Sequence, residues 1–186
     1  MTVAQSATNN TCTALIGRVW KYGDGVNTDV IFPGKYTYSL KEPDEIAAHA
    51  LEDLDPAFAT DAQPGDVIVA GRNWGNGSSR EQAVTALKYK GIAAVVARSF
   101  ARIYFRNGIN QGLLLITCPA AVDAAQAGNM IEIDLDHNVI RLNGGEYSFP
   151  PLSSTALGII NNGGLVQHIR KKLGLTSTEV VPTSNE

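Results

Sequence analysis

Residues 66–97 constrain the fold more than any other part of the chain. They read as a short β-branched run (Asp66-Val67-Ile68-Val69-Ala70), a glycine-rich loop, a helical run and a second apolar run (Ile92-Ala93-Ala94-Val95-Val96-Ala97). Runs this uniformly apolar suit strands covered on both faces, and two of them joined through a helix make a right-handed βαβ unit. Pro64-Gly65 opens the first strand, while Ala83 and Leu87 sit at helical spacing in residues 82–90, before a stop at Gly91. Ligands of such units collect outside the carboxyl ends of the strands, and the loop lies there.

That loop reads Gly71-Arg72-Asn73-Trp74-Gly75-Asn76-Gly77-Ser78-Ser79-Arg80-Glu81. Gly71, Gly75 and Gly77 permit positive φ and close backbone approach, and Ser78-Ser79-Arg80-Glu81 fits a capping box with Ser78 at the N-cap and Glu81 at N3. Two hydroxyls and a guanidinium are thereby expected at a helix N-terminus, where free N–H groups and the helix dipole favour a carboxylate or phosphate. Arg80 stands where a dinucleotide fingerprint needs glycine or alanine, and no Gly-Lys-Ser/Thr follows to make a P-loop. An ordinary capped helix after a glycine turn would give the same local pattern.

With 186 residues, 44% of them hydrophobic, the chain can bury one good core, so a single domain is expected. Net charge is -3, from 15 basic and 18 acidic residues interspersed, which leaves no footprint for nucleic acid or a membrane surface. Cys12 and Cys118 are far apart and form no Cys-x-x-Cys pair, which argues against a disulfide framework and against a metal or iron–sulfur site built by this chain alone, and fits a reducing cytoplasm. No apolar run approaches the ~20 residues a membrane span needs.

In chain order, residues 1–13 are expected to be a disordered leader, and Leu15 to Trp20 a first strand. Residues 22–33 read as a turn-rich loop carrying Asp24, Thr28 and Asp29, in which Asn27 and Asp29 bond their own backbone or approach a site. A helix is expected over residues 43–54, a loop over 55–64, and a helical stretch from Arg98 to Gly108. Arg98, Ser99 and Arg102 leave the second strand at the loop's edge, either to reach the site or to solvate a helix face with their stems on apolar surface. Leu113 to Ile116 reads as a further strand, residues 130–135, 139–142 and 146–149 as an antiparallel meander, residues 165–173 as a final helix, and 176–186 as a polar tail. His49 reads as a solvated or core-edge residue, His137 as an exposed structural one and Cys118 as a small buried hydrophobe.

Taken together, Gly71 through Ala83, Gly91-Ile92, Ala97-Arg98-Ser99-Phe100-Ala101 and Asn110-Gln111-Gly112-Leu113-Leu114 resemble the swivel domain of the aconitase family. Asn27-Thr28-Asp29-Val30-Ile31 and Glu52-Asp53-Leu54-Asp55-Pro56 extend the likeness over most of residues 14–175, closest to the small-subunit branch of the 3-isopropylmalate dehydratases. The resemblance implies an α/β fold: a swivelling β/β/α three-layer domain with a central βαβ core and a smaller antiparallel strand meander.

It implies a chemistry as well. In that family a serine alkoxide takes a proton from carbon while a [4Fe-4S] cluster, held elsewhere, accepts the departing hydroxyl. Carried over by position, Ser78 is the base, Ser79 and Arg80 bind a substrate carboxylate, and Thr28 and Asp29 belong to a loop that approaches the site. Tyr36, Thr37, Tyr38 and Ser39 match the loop that contacts the substituent distinguishing one substrate from another. The cluster needs three cysteine thiolates, which this chain lacks, so the resemblance implies no cofactor or metal on this chain and a large cluster-bearing partner subunit, as a heterodimer or heterotetramer.

The small dicarboxylate substrate implied is isopropylmalate, because a tyrosine and a threonine suit an alkyl group better than a third carboxylate. Lys35 keeps a tricarboxylate open, so homoaconitase, and dimethylmaleate, maleate or citraconate hydratases, stay as alternatives. Trp74, where Phe or Tyr is usual, and Val30, where aconitase has histidine, depart from the pattern. A reading of another class is a non-catalytic dicarboxylate-binding module.

Overall fold

The structure, a computed structural model, describes residues 14–175; the expected leader, with Cys12, and the expected polar tail lie outside the described residues. Its strands are β1 (Ala14–Lys21), β2 (Val67–Ala70), β3 (Ala94–Ala97), β4 (Leu114–Thr117), β5 (Met130–Asp134), β6 (Val139–Leu142) and β7 (Gly145–Ser148). Its helices are α1 (Thr28–Ile31), α2 (Pro43–Ala48), α3 (Pro56–Asp61), α4 (Gln82–Tyr89), α5 (Arg102–Gln111), α6 (Pro119–Ala124), α7 (Ser154–Asn161) and α8 (Leu165–Lys172).

The expected parallel core and meander share one sheet, in the order β4-β3-β2-β1-β5-β6-β7. β1 is the hinge of this arrangement, parallel to β2 on one side and antiparallel to β5 on the other. The parallel strands Val-Ile-Val-Ala and Ala-Val-Val-Ala are buried along their whole length, as their unbroken apolar runs require. One face carries Ile68, Ala70, Val95 and Leu115 against Ala83, Leu87 and Tyr104 of the helices; the other carries Val67, Val69, Val96 and Ile116 against Ile131, Ile133, Ile140 and Leu142 of the meander. Helices over parallel strands over a curled meander give the expected three layers.

Several elements differ from the sequence reading. The helix expected over residues 43–54 ends at Ala48, because Leu51 is fully buried in a left-handed conformation (φ 57°) and donates its N–H to Ile31 O at 2.9 Å. Tertiary packing against α1 overrides helix propensity there. Residues 55–64, read as loop, contain α3. The stretch read as helical from Arg98 starts only at Arg102, since Trp74 N bonds Ser99 O and Ala101 N bonds Trp74 O, and it runs past Gly108 to Gln111, with Gly112 as its cap. A Cβ at Gly108 would stand 2.3 Å from Leu115 Cδ1, so this glycine serves close helix–sheet approach rather than termination. His49 is half-buried and stacked on Tyr36, His137 is exposed and bonded to Asp134, and Cys118 is buried.

Asp66, 5% exposed, ties β2 to β1: Trp20 Nε1 donates to it at 2.7 Å, Gln63 N at 3.0 Å and Arg18 Nη2 at 3.1 Å. Burial pushes its carboxyl upward, but these hydrogen bonds outweigh that and leave it below its ordinary value of 3.8. A carboxylate depressed in the folded state adds stability above the unfolded value and loses it as pH falls through the folded one. Asp66→Asn is therefore expected to lower unfolding free energy by about 1–3 kcal/mol at pH 7. In urea titrations the gap to wild type should narrow below pH 3.8; a gap independent of pH would contradict this account.

Candidate active site

The loops that leave the carboxyl ends of β1, β2 and β3 meet at one cleft, as the parallel core dictates. The first loop becomes α1, where Asn27 caps the helix by accepting Val30 N at 2.9 Å. The reading of residues 22–33 as a turn bonding its own backbone therefore holds for Asn27, yet the same turn presents Thr28 and Asp29. Thr28 N donates to Asn76 O at 2.7 Å and Gly75 N to Val26 O at 2.8 Å, which zips the β1 loop onto the glycine loop. On the other flank Asn73 N donates to Ser99 Oγ at 2.9 Å. Gly75 (φ 76°) must be glycine, because a Cβ there would lie 2.1 Å from Tyr104 Cγ.

Thr28, 1% exposed, is the pivot of the site. Its Oγ1 accepts Ser78 N at 3.0 Å and lies 2.9 Å from Ser78 Oγ. Ser78 Oγ also receives Arg80 Nε at 2.9 Å and Arg80 N at 3.4 Å. With the Thr28 hydroxyl turned toward it, Ser78 Oγ gathers three donors, an environment that favours oxyanion over hydroxyl. Arg80 Nη2 pairs with Asp29 Oδ1. Gly34 lies beside this pair, where a Cβ would approach Arg80 Nη1 to 2.6 Å and Asp29 Oδ1 to 3.0 Å. Arg80 thus has two donor groups engaged, Nε with Ser78 and Nη2 with Asp29, and its Nη1 lies beside Gly34.

The expected capping box does not form. α4 begins at Gln82 with Glu81 as cap and no side-chain cap bond. Ser78 N–H, which Glu81 would have capped, is already taken by Thr28, and Glu81 instead accepts Gln111 Nε2 at 2.7 Å. The long-range partner displaces the local one, and Ser78 gains an acidifying neighbour rather than a helix to cap. Thr28→Val, which leaves Ser78 N–H without its acceptor, should lower unfolding free energy by about 1–3 kcal/mol, and Thr28→Ser should recover most of it. Equal denaturant midpoints for the two variants would refute this.

The cleft, about 560 Å³, is lined by Asn73, Gly75, Gly77, Ser78, Ser79, Ala101, Arg102, Ile103 and Arg106. Of the residues singled out from sequence, the structure brings Thr28, Asp29, Ser78, Ser79 and Arg80 together. Arg102 reaches the cleft, whereas Arg98 pairs with Asp123 and Ser99 braces the glycine loop. Tyr36, Thr37, Tyr38 and Ser39 are not among the lining residues: Tyr36 stacks on His49 at 4.0 Å, Tyr38 is 94% exposed and Ser39 Oγ donates to Tyr36 O. They follow in sequence on Gly34, which lies beside the Arg80–Asp29 pair. Lys35 pairs with Glu52 at 2.9 Å, its side chain 57% exposed.

Asn73, Ile103, Arg106 and Asn107 escaped the sequence reading. Arg102 and Arg106 are four apart, so one helical face carries both, a spacing that would have flagged the second arginine once the first was suspected. Among the described residues no three His, Cys, Asp or Glu side chains come together as a ligand set. No helix among them is long and apolar enough to cross a membrane.

Comparison with known proteins bears on what this arrangement serves. The aconitase C-terminal domain family matches residues 27–121. The 3-isopropylmalate dehydratase small subunit of Aquifex aeolicus is 46% identical over 160 residues, 84% of this chain and 95% of that one. The methanogen homoaconitase small subunit of Methanothermobacter thermautotrophicus is 50% identical over 161 residues, 84% of this chain and 91% of that one. The crystal structure of a 3-isopropylmalate dehydratase from Methanocaldococcus jannaschii superposes with a TM-score of 0.82 at 42% identity, covering 87% of this chain and 96% of that one.

Proposed function

Because this chain belongs to the aconitase C-terminal domain family, we propose that it is the small subunit of a cytoplasmic hydro-lyase that interconverts 2-isopropylmalate and 3-isopropylmalate by dehydration and rehydration, as in leucine biosynthesis. The observation that carries the reading is Ser78 Oγ, on the wall of the cleft, within 2.9 Å of both Arg80 Nε and the Thr28 hydroxyl. In the reaction the Ser78 alkoxide removes a proton from substrate carbon, the C–H electron pair becomes the new C=C bond, and hydroxide departs from the neighbouring carbon. Water then adds with the opposite regiochemistry, and Ser78 returns its proton to carbon.

No histidine touches Ser78, so the alkoxide depends on its donors: Arg80 Nε and N, and Thr28. Arg80 holds the reacting carboxylate, with Ser79 beside it. Tyr36, Thr37, Tyr38 and Ser39, beyond Gly34, meet the substituent when the partner subunit closes the site. In this scheme a large subunit carries the [4Fe-4S] cluster, which supplies a Lewis acid for the departing hydroxyl.

Mixing this chain with a cluster-bearing large subunit should create isomerisation of 2-isopropylmalate that neither chain shows alone; no turnover from the mixture would overturn the proposal. A second reading, a homoaconitase-type tricarboxylate substrate, is supported by the 50% identity to a methanogen homoaconitase small subunit. Substrate profiling of the same complex separates the two.

A further inference from the structure

We propose that Glu52 is a positioning residue for Arg80: it anchors the turn that packs Gly34 onto the Arg80–Asp29 pair, and through that contact keeps Arg80 Nε aimed at Ser78. The inference rests on the reading of Ser78 as base and Arg80 as its donor, and adds a residue whose own partners are Lys35, His49 and Tyr36.

Gly34–Tyr36 form a single 3-10 turn with no buried residue and no side-chain cap. Such a turn has little apolar surface or hydrogen bonding of its own to fix it. Its first residue nevertheless stands against the active-site pair, since a Cβ on Gly34 would lie 2.6 Å from Arg80 Nη1, 3.0 Å from Asp29 Oδ1 and 3.7 Å from Arg80 Cζ. A backbone contact this close can set the plane of the guanidinium only if the turn itself is held.

Glu52 holds it. One oxygen of its carboxylate takes Lys35 Nζ at 2.9 Å and the other takes His49 Nδ1. Tyr36 stacks on His49 at 4.0 Å, and Lys35 Nζ lies 4.8 Å from the centre of the Tyr36 ring. Two consecutive side chains of the turn are thereby tied to one carboxylate and its histidine. Burial pushes the Glu52 carboxyl upward, but hydrogen bonds from His49, Lys35 and Tyr36 outweigh it and leave the group below its ordinary value, so it stays an anionic acceptor at neutral pH. The Lys35 side chain is 57% exposed, and a pair so exposed adds at most about 1 kcal/mol to stability, so the network sets an orientation more than it holds the fold.

The neighbours of Glu52 support the other half of the pair. Leu51 N donates to Ile31 O at 2.9 Å, at the end of α1, the helix that carries Thr28 and Asp29. Asp55 Oδ2 accepts Tyr22 Oη at 3.0 Å, just past the end of β1. Residues 51–55 therefore hold α1 through the backbone and the Gly34–Tyr36 turn through Glu52, and the two neighbours of the Arg80 guanidinium other than Ser78, Asp29 and Gly34, share one support. Glu52-Asp53-Leu54-Asp55-Pro56, conspicuous in the sequence and used by no step of the reaction, acquires a role.

The test uses Glu52→Gln, which keeps the shape and removes the charge, and Lys35→Met, which leaves Glu52 and His49 in place. Lys35 is exposed, so Lys35→Met should melt like wild type even if Glu52→Gln does not. On the full chain, the Arg80 Nε–H signal in heteronuclear NMR, assigned by its loss in Arg80→Lys, should exchange with water about tenfold faster in both variants than in wild type. In the assembled two-subunit enzyme Glu52→Gln should lower kcat about tenfold with KM little changed, because the stabilisation lost belongs to the alkoxide. Added to Arg80→Lys, the same substitution should lower kcat by less than about twofold further.

Unchanged Nε–H exchange in both variants would overturn the proposal, as would a tenfold loss of kcat that persists in full on the Arg80→Lys background, which would mean that Glu52 acts elsewhere. If exchange quickened in both variants while the wild-type enzyme turned over no substituted malate, the functional reading would fall and the anchor would stand.

Discussion

Ser78→Ala in the assembled two-subunit enzyme should lower kcat by about 10³-fold, the range a positioned base contributes, or roughly 4 kcal/mol of transition-state stabilisation. Thr28 Oγ1, 2.9 Å from Ser78 Oγ, cannot take over, because it is committed to Ser78 N at 3.0 Å and is buried. The fold should tolerate the change. Deleting Oγ leaves Arg80 Nε without an acceptor, but the Arg80 side chain is 24% exposed and water can replace the bond. Co-purification of both subunits and an unshifted melting curve would show that assembly survives. Turnover within a few-fold of wild type would remove Ser78 from the role of base.

Arg80→Lys should cost kcat about 10²-fold, the loss typical of removing one preorganised donor from an oxyanion. Charge is conserved, so the experiment isolates geometry. Arginine serves Ser78 with Nε at 2.9 Å and Asp29 with Nη2, two directions set by one rigid plane. A lysine ammonium on a flexible stem cannot occupy both. Asp29→Asn should do less, since it loosens the fork without removing the donor to Ser78. If Arg80→Lys retained most of kcat and changed only KM, Arg80 would be a carboxylate grip alone, and the stabilisation of the alkoxide would have to come from Thr28 and backbone.

The two variants also test each other. Residues that act as one unit are non-additive, so Ser78→Ala combined with Arg80→Lys should be little slower than Ser78→Ala alone. Additive losses would mean that the guanidinium acts on substrate independently of the serine.

The linear sequence determined what depends on near neighbours and on strand and helix periods. The uniformly apolar runs at residues 67–70 and 94–97 could only be covered parallel strands, the alternation of Met-Ile-Glu-Ile-Asp could only be a half-exposed strand, and the glycine loop between them located the site. The family likeness named Ser78, Arg80, Thr28 and Asp29 as its constituents.

Only the tertiary structure decided what depends on partners far along the chain. It took Ser78 out of a helix cap, because a threonine 50 residues away satisfies its N–H better than Glu81 does. It ended α2 early, because Leu51 is drawn to Ile31, and it turned Arg102 and Arg106 into the cleft while binding Arg98 elsewhere. In each case a long-range hydrogen bond, ion pair or packing contact outweighed a local preference worth less than about 1 kcal/mol, and no local reading of the chain could have weighed the two.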